Sequence, residues 1–300
     1  VAVDQPEQPG DAAPARRSAG ADLPLLVSAA DLAALPPGRA VVVDCRFDLA
    51  RPAAGRAAFL EGHIPGAGYA HLDEDLSSPP GPATGRHPLP DPAAFAATCG
   101  RLGISRDRWV IAYDDASGAF AARLWWLLRW AGHQAVSLLD GGFGAWRAAG
   151  LPMESGPGTA AAAVFRPAAD AEPTITAAEL ATALATGARQ LVDVRAAERF
   201  TGQVEPIDPV AGHVPGAVNL PFTRALGPDQ RFRPPGELRE MYAPLLEGRS
   251  PAHVVFMCGS GVTACHGIFA MTLAGLPGAV LYPGSWSEWI RDPARPIAAG

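Results

Sequence analysis

Lysine is absent from all 300 residues, and each of the 24 basic side chains is an arginine. This excludes a Gly-Lys-[Ser/Thr] phosphate-binding loop and any lysine Schiff base. Cysteine is scarce: Cys45, Cys99, Cys258 and Cys265 are the four. None stands in Cys-x-x-Cys spacing, which argues against a disulfide framework and against a structural zinc site. Positive charge is in deficit, with a net charge of −6, so neither nucleic acid nor an anionic membrane is expected as the main partner. No uninterrupted apolar run is long enough to span a bilayer. The most apolar stretch, Trp109 to Trp130, carries Asp114, Asp115, Arg123 and Arg129. Val1 to Gly20 lacks the apolar core of a signal peptide. A soluble, cytoplasmic protein is the expectation. At 48% hydrophobic and 18% charged residues, the chain holds enough apolar material for about two domain cores.

What is present is present twice. Val41-Val42-Val43-Asp44-Cys45-Arg46 returns as Gln190-Leu191-Val192-Asp193-Val194-Arg195. Gly62-His63-Ile64-Pro65-Gly66-Ala67 returns as Gly212-His213-Val214-Pro215-Gly216-Ala217. The runs at Trp109–Asp114 and at Trp146 are answered by those at His253–Cys258 and at Trp289, in the same order. Ordered self-similarity of this kind means a duplicated domain. The boundaries read as a disordered tail over 1–22, a first domain over 23–150, a linker over 151–172 and a second domain over 173–300. The linker holds Gly156-Pro157-Gly158 and an alanine run. Within each repeat, short β-branched runs alternate with helical patterns. Strands are expected at 40–44, 110–113 and 135–139, then at 191–194, 253–257 and 279–282; helices at 119–131 and 263–274. That alternation predicts an α/β fold, each domain a parallel sheet with helices on both faces. In such sheets the chemistry lies at the carboxyl ends of the strands.

At one such end stands Cys258-Gly259-Ser260-Gly261-Val262-Thr263-Ala264. The two glycines let the chain curl, so that backbone N–H groups from Gly259 to Thr263 converge on the sulfur. The start of the following helix adds partial positive charge. Both favour a reactive thiolate. Cys45, Cys99 and Cys265 lack that setting and read as space-filling core residues. A cysteine phosphatase needs an arginine six residues after the cysteine; here that residue is Ala264, and no arginine or lysine stands between Cys258 and Gly275. A singly charged sulfur fits the loop better than a dianionic phosphate.

The loop, the paired Gly-His-[Ile/Val]-Pro-Gly-Ala motifs and the tail Gly284-Ser285-Trp286-Ser287-Glu288-Trp289 resemble the tandem-domain rhodanese sulfurtransferases. The uncharged loop is most similar to the 3-mercaptopyruvate type. The resemblance spans residues 23 to 300. It implies two rhodanese-like domains, the first catalytically silent because Asp114 replaces the cysteine. It implies a Cys258 persulfide, formed from 3-mercaptopyruvate with release of pyruvate and passed to cyanide or to a thiol acceptor such as thioredoxin. No cofactor or metal is called for. It places substrate-binding arginines at Arg195 and Arg199; a salt bridge to Asp193 or Glu198 is the competing reading of each. It places a proton relay at Ser260 and His63, whose competing role is to order its own turn. The relay also takes an aspartate ahead of the histidine. Residues 51–62 contain none, leaving Asp48 or Glu61. Trp125, Trp126 and Trp130 read as helix packing in the first core. A thiosulfate:cyanide sulfurtransferase is the alternative within the class, and a non-catalytic binding or regulatory module the alternative outside it.

Overall fold

The computed structural model describes residues 23–158, 161–168 and 172–300; the tail expected over 1–22 lies outside them. The first sheet comprises β1 (Leu26–Val27), β2 (Ala40–Asp44), β3 (Gly68–Tyr69), β4 (Trp109–Tyr113) and β5 (Val136–Leu139). Its order is β1-β5-β4-β2-β3, with every pair parallel. The second comprises β6 (Gln190–Asp193), β7 (Val218–Asn219), β8 (Val254–Met257) and β9 (Val280–Leu281). Its order is β7-β6-β8-β9, again parallel. The duplication extends to the register. Ala40 pairs with Trp109 and Asp44 with Tyr113; Gln190 pairs with Val254 and Asp193 with Met257. A parallel bridge from Thr174 to Leu281 holds the place in the second sheet that β1 holds against β5 in the first. The long strands fall within a residue of where the β-branched runs put them. Of the four two-residue strands, β9 falls within the run expected at 279–282, while β1, β3 and β7 left no pattern in the sequence.

Alternation along each strand sends side chains to opposite faces. Val42 and Ile111 feed a core on one face of the first sheet, and Leu191, Val255 and Met257 a core on one face of the second. The other faces, bearing Val43, Ala112, Val192 and Phe256, share a single core. Two helices meet within it, Ala121–Trp130 from the first domain and Thr263–Leu273 from the second. Trp125 meets Phe269 edge-on across the boundary, ring centroids 5.0 Å apart, while Trp126 stacks on Trp130. The tryptophan cluster is therefore packing, as its spacing implied, and Trp125 serves the junction between domains.

The described part of the linker is laid along the first domain. Glu154 exchanges main-chain hydrogen bonds with His63, Ala163 N–H donates to Gly100 and Ala168 N–H to Ala131. Phe165 is buried in the shared core, and Arg129 closes the strap on Glu172 at 2.6 Å.

Candidate active site

Cys258 follows β8 directly, at the carboxyl end of a central strand, and is almost wholly buried. Its sulfur accepts the N–H groups of Gly261 at 3.1 Å and Ser260 at 3.5 Å. Gly261 has φ +78°, and a Cβ there would lie 2.4 Å from the Pro283 carbonyl oxygen. Only glycine allows the loop to close this tightly. The loop is also tied to the helix Ser285–Trp289: Trp286 N–H donates to the Cys258 carbonyl and Ser287 N–H to that of Gly259. Of the residues expected in the cradle, Ser260 and Gly261 supply the donors. Gly259 leaves room for neighbours, Val262 caps the helix and Thr263 begins it. Cys45, Cys99 and Cys265 are buried in the core, and burial pushes all three thiols up, that of Cys265 to about 12. They are inert packing.

The first domain shows the same cradle plugged. Asp114 follows β4 as Cys258 follows β8, and its carboxylate accepts four main-chain N–H groups, of Ala116, Gly118, Phe120 and Ala121, each at 2.8 Å. Asp114 fills with its own oxygens the space that the second domain keeps for sulfur.

Ser260 Oγ lies 2.7 Å from His87 Nδ1, and His87 Nε2 lies 3.1 Å from Asp73 Oδ1. The carboxylate can only accept, so it fixes the tautomer with hydrogen on Nε2 and leaves Nδ1 to accept the serine proton. Burial, aided by the Arg123 and Arg86 charges, pulls His87 down to about 3, so it is neutral at physiological pH. The histidine beside Ser260 is thus His87 and not His63. His63 is buried in the first domain, stacked on Phe59 with Nδ1 on the Phe59 carbonyl at 2.8 Å. His213 repeats that arrangement on Phe200; the motif histidine orders its own turn in both halves. Asp48 pairs with Arg51, and Glu61 is exposed, so neither takes the acid's place. Sequence reasoning missed His87 and Asp73. The available signal was the long irregular connection from β3 to the helix Pro92–Arg101, since a loop of that length is commonly functional.

Three arginines surround the loop, none of them from it. Arg123, fully buried on the helix Ala121–Trp130, donates to the carbonyls of Leu76, His87, Pro88 and Gly261. Among the described residues no carboxylate forms a salt bridge with it, so a whole positive charge sits beneath the cradle. Arg86 and Arg199 flank Gly259: a Cβ on that glycine would lie 2.8 Å from Arg86 Nη2 and 3.5 Å from Arg199 Nη1. Arg86 N–H is held by Ser287 Oγ, across the domain boundary. Asp208 lies between the two guanidiniums, pairing with Arg86 and, at 3.1 Å, with Arg199 Nη2; Glu205 accepts from the same Nη2 at 2.7 Å and from Nε. Arg199 is at the site, as expected. Arg195 is not. It is buried against Asp193, with Nη2 donating at 2.6 Å, also donates to the Gly212 carbonyl, and lies over the Trp286 ring. Arg46 does the same with Asp44, Gly62 and Phe143. The salt-bridge reading holds for Arg195, and Arg86 occupies the place beside the cysteine loop.

A duplicated parallel α/β domain with a cysteine loop at the end of a central strand defines a class, and comparison with known proteins agrees with it. The rhodanese-like domain family matches residues 28–149 and again 176–292, and the chain belongs to that family. It is 51% identical over 278 residues to "Probable 3-mercaptopyruvate sulfurtransferase" of Pseudomonas aeruginosa, covering 92% of this chain and 98% of that one. It is 38% identical over 242 residues to the thiosulfate sulfurtransferase of Bos taurus, covering 78% and 79%. The structure of a 3-mercaptopyruvate sulfurtransferase from Leishmania major superposes with a TM-score of 0.77 at 33% identity, over 91% of this chain and 75% of that one.

Proposed function

We propose that the chain is a 3-mercaptopyruvate sulfurtransferase working through a persulfide on Cys258. The observation that carries this reading is the sulfur of Cys258 held by two main-chain N–H groups beside a serine that is itself coupled to His87 and Asp73. The Cys258 thiolate attacks the thiol sulfur of the donor. As the S–S bond forms the C–S bond breaks, and its electron pair leaves on carbon as the enolate of pyruvate. The proton from the donor's thiol reaches that carbon through Ser260 Oγ, which His87 and Asp73 hold in the accepting and donating orientation. The outer sulfur keeps a negative charge. The N–H groups of Ser260 and Gly261 and the buried Arg123 stabilise it, as oxyanion-hole donors stabilise a developing oxyanion. Arg86 and Arg199 are matched in geometry to the donor's carboxylate. A thiol acceptor such as thioredoxin then removes the outer sulfur and restores the thiolate, a ping-pong cycle. The cytoplasm suits a chemistry that needs free thiols: all four cysteines are unpaired, and among the described residues no helix is long and apolar enough to cross a membrane.

Thiosulfate is the second donor to consider, because Arg86 and Arg199 present to an anion the guanidinium N–H groups that the loop itself lacks. Incubation with each donor followed by intact-mass measurement tests the reading. The wild-type chain gains the mass of one sulfur atom and the Cys258→Ser variant does not. No adduct with either donor would leave a binding module as the answer.

A further inference from the structure

The two arginines beside Cys258 are not free cations. Arg199 shares its guanidinium between Glu205 and Asp208, and Asp208 also takes Arg86. Asp208 and Glu205 are themselves buried, with side chains 3% and 4% exposed, while Arg86 and Arg199 keep 26% and 16%. The carboxylates therefore lie behind the guanidiniums, whose outer faces remain open beside Gly259. Both Asp208 oxygens accept guanidinium N–H groups, which suits the ionised acid. Glu205 also meets Arg195 at 3.4 Å, and Arg195 is paired with Asp193, so three cations and three anions leave this network with no net charge, although it presents guanidinium N–H groups to the site.

Such a patch distinguishes anions by their charge. The carboxylate of a monoanionic donor gains the geometric match to the guanidiniums. A second negative charge gains no net attraction from the neutral patch and is repelled by Asp208, one guanidinium away. Resting on the function proposed above, we infer that Asp208 is the specificity-determining residue that selects a singly charged keto-acid donor over a doubly charged donor such as thiosulfate. It does so by neutralising Arg86 and Arg199 from behind while leaving their N–H groups in place.

The test is the ratio of kcat/KM for 3-mercaptopyruvate to that for thiosulfate, measured near pH 7 for wild type and for Asp208→Asn. Any loosening of the arginines affects both donors and cancels in the ratio; the lost charge favours only the second charge on thiosulfate. The ratio is expected to fall by about tenfold or more, with kcat/KM for thiosulfate rising in absolute terms. Equal losses on both donors would mean that Asp208 merely aligns the guanidiniums, and the inference would be wrong. Glu205→Gln removes the same unit of charge from a carboxylate that pairs with Arg199 and Arg195 but not with Arg86, and should move the ratio the same way by a smaller factor. It also decides the matter should Asp208→Asn fail to fold, an unchanged ratio counting against the inference. A wild-type chain that takes sulfur from neither donor overturns the proposed function itself. A working wild type whose ratio is insensitive to both variants overturns only the role of Asp208.

Discussion

At the scale of single residues, the site separates groups that handle a proton from groups that hold charge. Ser260 and His87 matter to a donor whose leaving group is a carbanion, since that carbon must be protonated. Sulfite leaving from thiosulfate needs no such proton. His87→Ala is therefore expected to lower kcat for 3-mercaptopyruvate by about a hundredfold and to lower thiosulfate turnover much less; steady-state rates with both donors measure the split. Equal losses would mean that His87 only shapes the loop. Cys258 was legible in the sequence because the loop motif and the strand before it are local; Ser260 and Arg199 came from the family resemblance. His87, Asp73 and Arg86 were legible in neither way. They come from an irregular loop of the other domain, where no periodicity marks a residue, and Ser260 is 173 positions from its histidine.

At the scale of elements, each repeat ends its central strand with the same clamp. Asp44 with Arg46 and Asp193 with Arg195 hold a strand end against the turn at Gly62 or Gly212. Arg195 has the sequence context of a ligand and the environment of a strut. Replacing it leaves the buried Asp193 carboxylate without its partner, a change that costs about 3 kcal/mol or more. Arg195→Met should lower the urea midpoint accordingly while leaving KM for 3-mercaptopyruvate in the folded enzyme close to wild type. A large rise in KM with unchanged stability would return Arg195 to the substrate site. The duplication made this readable in principle, because Arg46 sits in the same motif in a domain whose loop carries Asp114 in place of the cysteine.

At the scale of the whole molecule, the junction between domains holds two neutral histidines. His87 reaches from the first domain to Ser260 of the second, and His266 of the second reaches the Ser117 carbonyl of the first at 3.1 Å, stacked on Phe232. Burial lowers His87 to about 3 and His266 to about 4. Both lie below the unfolded value of 6.5, so the unfolded chain binds protons in this range that the folded chain refuses. Stability is therefore level above about pH 6.5 and falls as the pH drops from there toward 4. Each histidine contributes a loss of about 2 kcal/mol at pH 5 relative to pH 7.5. Unfolding midpoints across that range check it, and His266→Phe should flatten part of the slope. A midpoint that stays level from pH 7.5 to 5 would contradict this account.

The sequence by itself determined the duplication, the parallel sheets and the nucleophile. Each of these is written in neighbouring residues: alternation along a strand, a glycine that permits a left-handed turn, an aspartate where its twin has a cysteine. Tertiary structure alone decided which histidine meets the serine, which arginines lie beside the cysteine loop and which is buried away from it. Those pairings are made across the boundary between two domains, where side chains far apart in the chain are brought within hydrogen-bonding distance by a shared apolar core. Arginine is the clearest case, because its chemistry is the same beside the cysteine loop as in a buried strut and only its place in the fold tells the two apart.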